Sequence, residues 1–109
     1  MNINQLFEIL AERSTELTLN SSLEAVILFD ITGNEPVKWN GLIKNGAAAL
    51  ALGEPLDEPD ITVRAASETA IGVYEKTINP MMAFMTGKIK VSGDISKVSL
   101  IKSLLTPKK

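Results

Sequence analysis

Three methionines and a phenylalanine fall within five residues, at Met81, Met82, Phe84 and Met85, and no other side chains of this 109-residue chain are so concentrated for one chemical task. That task is partition rather than bond-making. Thioethers are flexible and polarisable, so a cluster of them lines an adaptable apolar site well. The same properties let methionine fill irregular gaps in a core, and the residues alone leave both readings open. Pro80 suits the first turn of a short helix, because its φ is already set and its missing N–H is not needed there. Gly87 then tolerates the left-handed conformation of a helix C-terminus. Lys88-Ile-Lys-Val-Ser alternates polar and apolar, as a half-buried strand does, and Gly93 closes it.

Groups that make or break bonds are scarce. The sequence holds no cysteine and no histidine, which removes thiol nucleophiles, disulfides, imidazole acid–base chemistry and the usual zinc ligands. Glu54, Asp57, Glu58 and Asp60 lack the alternation and central glycine of a calcium loop, so they read as a solvated acidic loop. Lys88 and Lys90 could attract a lipid phosphate or coenzyme A, yet lysine is also what a solvent-facing strand edge carries. No serine, lysine or carboxylate sits in a recognisable activating context. Neither enzymatic activity nor a cofactor or metal is expected.

The net charge of −2 supplies no basic field, so nucleic acid is not an expected partner. With 45% hydrophobic residues, the chain fits one globular domain over residues 1–109. No run approaches the roughly 18 apolar residues of a membrane span. Asn-Ile-Asn-Gln after Met1 does not resemble a secretory leader. The expectation is a cytoplasmic protein without stable membrane insertion, its oligomeric state open.

The elements that must position the methionines follow from periodicity. Ile3, Leu6, Phe7 and Leu10 lie on one face of a helix reaching about Leu17. Glu24–Thr32 reads as a strand with Ala25, Ile27, Phe29 and Ile31 on one side. Gly33-Asn-Glu-Pro36 turns the chain into a second strand, Val37–Lys44, in which Val37, Trp39 and Ile43 alternate with Lys38, Asn40 and Lys44. Asn45-Gly46 is a hairpin signal, and Ala47–Leu52 is the returning strand. Residues 53–60 are too long and too acidic for a hairpin, and so form a crossover to a fourth strand, Ile61–Ala66. Ser67 is expected to cap a helix carrying Ile71, Tyr74 and Ile78. After the fifth strand, Asp94 is expected to cap a last helix with a wide apolar face: Val98, Leu100, Ile101, Leu104 and Leu105. That helix reads as a wall or lid. Early strands and late helices predict an α+β fold, a mostly antiparallel five-stranded sheet with helices on one face.

Asn79-Pro80, Ala83-Phe84, Gly87-Lys88, Lys90 and Gly93 also resemble, in order and spacing, the sterol-carrier-protein type 2 (SCP-like) lipid-binding family. Ile31-Thr32-Gly33, Trp39, Lys44-Asn45-Gly46 and Asp60-Ile-Thr-Val are similar to its upstream blocks. Leu42 stands where the family usually has Asp, and Ala48 where it often has Gly. An exposed Leu42 would mark either a local surface variation or a contact with another protein. The resemblance implies an α-β(3)-crossover-β-α-β order with an apolar cavity between sheet and helices. It implies non-catalytic binding and transfer of a fatty acid, acyl-CoA, sterol-like lipid or phospholipid. The alternative it carries is an accessory or interaction module for a lipid-metabolising enzyme, with a vestigial cavity. The candidate ligand contacts are Phe29, Trp39, Ile71, Tyr74, Met81, Met82, Phe84, Met85, Leu100 and Leu104. Trp39 and Tyr74 have polar handles suited to a cavity mouth, although Trp39 equally reads as a sheet residue packed under a helix.

Overall fold

Asn2 and Gln5 bond reciprocally, each side-chain oxygen accepting from the other residue's N–H at 2.8 Å, and this capping box starts α1 (Ile3–Ser14). The computed structural model describes residues 1–15 and 24–94. The helix stops short of the expected Leu17. Ser14 and Thr15 donate their hydroxyls to the carbonyls of Ala11 and Glu12, a local bonding pattern that competes with helix continuation.

Five strands form: β1 (Ala25–Thr32), β2 (Val37–Lys44), β3 (Ala47–Leu52), β4 (Ile61–Ala66) and β5 (Ile89–Gly93). They form one sheet in the order β3-β2-β1-β4-β5, in which only β1 and β4 run parallel. Asn45 and Gly46 both take positive φ, 56° and 81°, as a tight β2–β3 hairpin turn requires. Ile27, Ile43 and Ile61 are completely buried at the sheet centre.

The acidic crossover is not merely solvated. The Asp60 N–H donates to the Val26 carbonyl at 2.7 Å while its carboxylate accepts from the Val26 N–H at 2.8 Å. The Asp60 carbonyl in turn accepts from the Asp94 N–H at 2.8 Å. Gly93, at φ 104°, lies so close that an added Cβ would collide with that carbonyl.

Helix α2 spans Ser67–Tyr74. Ala66, not Ser67, is its N-cap, because the buried Ser67 hydroxyl has other partners. It accepts from the Glu35 N–H at 3.1 Å and donates to Glu68 Oε1 at 3.0 Å. The helix also ends before Ile78. Lys76 adopts φ 65°, and the Ile78 N–H returns to the Gly72 carbonyl at 3.1 Å, so Ile78 folds back onto Gly72 instead of extending the helix. Helix α3 (Pro80–Met85) starts as its sequence suggests, with Asn79 Oδ1 accepting from the N–H groups of Met81 and Met82. Gly87 follows at φ 80°.

Helix α1 packs over β3 and beside α2, while α2 lies on β4 and α3 on β5. Among the described residues no helix is long and apolar enough to cross a membrane. The expected last helix, with Leu100 and Leu104, lies outside the described residues.

Two measurements check this account. Gly93→Ala combines a left-handed backbone with a collision, and should cost about 1–3 kcal/mol in urea unfolding; an unchanged midpoint would refute the close approach. Glu68 provides a pH test. Its own N–H, the Asn34 N–H and the Ser67 hydroxyl bond its carboxylate and hold it below the usual carboxylate range. A depressed folded-state value means that the stabilisation is present above the ordinary pKa of about 4.3 and is lost as pH falls through the folded value. Thermal melts should show a shallower acid limb for Glu68→Gln than for the natural protein, and identical limbs would exclude this role.

Candidate functional site

Phe7 occupies the middle of the helix–sheet interface. Its ring stacks on Trp39 at 5.2 Å between centroids and 14° between planes, and meets Phe29 at 5.3 Å and 59°. Both separations are those of favourable aromatic pairs. The indole N–H of Trp39 donates to Asn4 Oδ1 on α1 at 3.0 Å, so the polar handle is satisfied inside the interface. Phe29 and Trp39 are thus buried, with α1 covering their apolar faces.

Beside this plug, α1 and α2 leave an apolar crevice of about 50 Å³ lined by Leu6, Phe7, Leu10, Ala70, Val73 and Tyr74. Binding pockets for small molecules usually run to about 300–1,000 Å³, so the helices must separate before an alkyl chain enters here. The Arg13 guanidinium sits 5.7 Å from the centroid of the Tyr74 ring, within cation–π range, and braces the two helices together. Ile71 is partly buried against the core on the same helix as Tyr74.

Helix α3 differs. Ala83 alone is buried, and Met81, Met82, Phe84 and Met85 are 65%, 57%, 53% and 72% exposed. The structure therefore separates the described candidates into three groups: Phe29 and Trp39 under Phe7, Ile71 and Tyr74 on α2, and four side chains on the open surface of α3. Leu100 and Leu104 are outside the described residues. Leu6, Phe7 and Leu10 read in sequence only as the inner face of a helix, and Ala70 and Val73 carry no signal of their own. Their role as crevice walls emerges only when α2 lies beside α1.

The surroundings are chemically quiet. Among the described residues no buried side-chain nitrogen or oxygen lacks a partner, and no three carboxylates gather as a metal site. Glu54 of the acidic crossover faces Lys38 at 3.5 Å.

Residues 3–106 match the model of the SCP-2 sterol transfer family. The chain belongs to that family. This SCP-2 domain is 26% identical over 104 residues to the rat (Rattus norvegicus) hydroxysteroid dehydrogenase-like protein 2; the match takes in 95% of the chain and 20% of that relative. The chain thus spans about a fifth of the length of the curated relatives it matches. Its fold superposes on palmitated SCP2L2 of the mosquito Aedes aegypti with a TM-score of 0.73 and 19% identity, covering 97% of this chain and 96% of that one. The sec-alkylsulfatase Pisa1 of a Pseudomonas species contains the same fold, with a TM-score of 0.70 and 18% identity over 100% of this chain and 17% of that enzyme.

The different surroundings of the two phenylalanines are measurable. Phe29→Ala should cost about 3–5 kcal/mol, as large core truncations do. Phe84→Ala should stay within about 0.5 kcal/mol of the natural protein, as exposed positions do. Equal losses in chemical denaturation would contradict the placement of α3.

Proposed function

We propose that this SCP-2 domain binds and transfers a lipid with an acyl or sterol-like apolar body, without performing chemistry on it. The observation that carries this reading is the surface of α3. Four large apolar side chains on a six-residue helix are each more than half exposed, and an apolar ligand that covered them would gain their desolvation. Membership of a sterol transfer family and a fold shared with a palmitated protein support the same reading.

In this scheme Met81, Met82, Phe84 and Met85 make the first contacts with the lipid. Its tail then enters between the helices, past Tyr74 and Ile71. Phe29 and Trp39 become contacts only when Phe7 yields its place, and Leu100 and Leu104 complete the candidate set. Burying about fourteen methylenes at about 0.8 kcal/mol each gives roughly 11 kcal/mol gross. Association takes back about 4–15 kcal/mol, and displacing Phe7 takes more, so binding no tighter than micromolar is the expected outcome. Low affinity suits a carrier, which must also release its load.

A second reading has an observation of its own. The curated relatives are about five times longer than the stretch matched here and carry a dehydrogenase-like name. In that reading the cavity is vestigial and the domain presents a surface to a lipid-metabolising enzyme.

Titration of delipidated protein with palmitate, palmitoyl-CoA, cholesterol and phosphatidylglycerol separates the two. Carrier function predicts one saturable site and a change in Trp39 fluorescence, because ligand entry disturbs the Phe7 stack. Neither a spectral change nor calorimetric heat with any of the four would overturn it.

A further inference from the structure

The free edge of β3 is an unusually undefended strand. Ala47-Ala-Ala-Leu-Ala-Leu52 contains no charge, no proline and no bulge, the devices that normally keep a sheet edge from pairing. Among the described residues β3 pairs with β2 alone. Leu52 on this strand is 62% exposed, and Leu42 on the neighbouring β2 is 45% exposed.

The Gly53 N–H donates to the Lys38 carbonyl at 2.8 Å, which makes Lys38 and Gly53 a hydrogen-bonded pair. The β2–β3 register stays constant from Trp39↔Leu52 to Lys44↔Ala47, and hydrogen-bonded pairs alternate along an antiparallel ladder. Ala51, Ala49 and Ala47 therefore bond β2. Ala48, Leu50 and Leu52 point their N–H and C=O groups away from it.

We propose that two copies of this chain join through β3, antiparallel about a two-fold axis at Leu50, to make one continuous ten-stranded sheet. This register uses all three outward residues. Leu50 faces Leu50 of the other copy and Ala48 faces Leu52, giving about six bonds between the chains. It sets the exposed Leu52 opposite a small alanine on the helix-bearing face of the sheet, a large-against-small fit. On the other face Ala49 lies opposite Ala51 of the second copy, and both are exposed. The charges agree with this orientation. Lys44 lies near one end of the edge and the Lys38–Glu54 pair near the other, so an antiparallel pairing keeps the two copies of Lys44 apart. The contact is isologous and closes at two copies. It places the two α3 surfaces at the far edges of the joined sheet, so it does not depend on the lipid reading.

The opposition of Ala49 and Ala51 allows a charge-reversal test by light scattering and sedimentation equilibrium on the full chain. The natural protein should have the mass of a dimer at high protein concentration. Ala49→Lys with Ala51→Lys places like charges opposite each other and should give a monomer with an unchanged circular dichroism spectrum. Ala49→Lys with Ala51→Glu restores complementarity and should return the dimer. A natural protein that stays monomeric overturns the proposal and leaves the edge to a strand of some other protein. A double-lysine variant that remains dimeric overturns it too, because the dimer would then use another surface. So does a lysine–glutamate variant that is folded and monomeric, which would refute the register.

Discussion

The pairing of Asp60 with Val26 is the contact on which the sheet depends. One residue uses its N–H, its carboxylate and its carbonyl to join the start of β4 to β1 and the end of β5 to both. A parallel strand pair cannot be made by a hairpin, and it needs a crossover that ends in the correct register. A slip of one residue would turn Ile61 and Val63 outward, since side chains alternate with a period of two. Asp60 prevents that slip by holding both backbone groups of Val26. Gly93 completes the junction, because only a residue without a Cβ fits beside the Asp60 carbonyl.

With β1 and β4 side by side, the β1–β2 turn becomes the anchor for both inner helices. Glu35 accepts from the first N–H of α1 at 3.0 Å, and its own N–H donates to Ser67 at the start of α2. The helices are thus tied together at one end. Farther along, among the described residues, apolar packing and the Arg13–Tyr74 contact hold them. An interface fixed at one end and greasy along its length can open without breaking the sheet. That is a mechanical requirement of any carrier whose resting interior is filled by its own Phe7.

Apolar surface is distributed unevenly, and this has consequences for function. Phe7, Phe29 and Trp39 satisfy one another in the core, whereas the methionines of α3 remain available. Leu42 is exposed on the outer face of β2, one strand from the free edge of the sheet. Ala48, by contrast, is buried in the core face of β3.

Local chemistry was sufficient for much of this fold. Alternation defined β2 to the residue, Asn45-Gly46 specified the hairpin and with it β3, and Asn79-Pro80 started α3. Each of these depends on backbone preferences and near neighbours, which the sequence contains outright. Ser67 shows where that reasoning stops: its type suits a cap, but Glu35, distant in sequence, claims its hydroxyl. Ile78 keeps helical spacing and is turned back by contacts with Gly72. The candidate site divides in the same way. The sequence alone identified the apolar side chains as a class, and only the tertiary structure decided which of them are satisfied by the protein itself. Burial of an apolar face depends on which other element comes within reach, and periodicity carries no information about that.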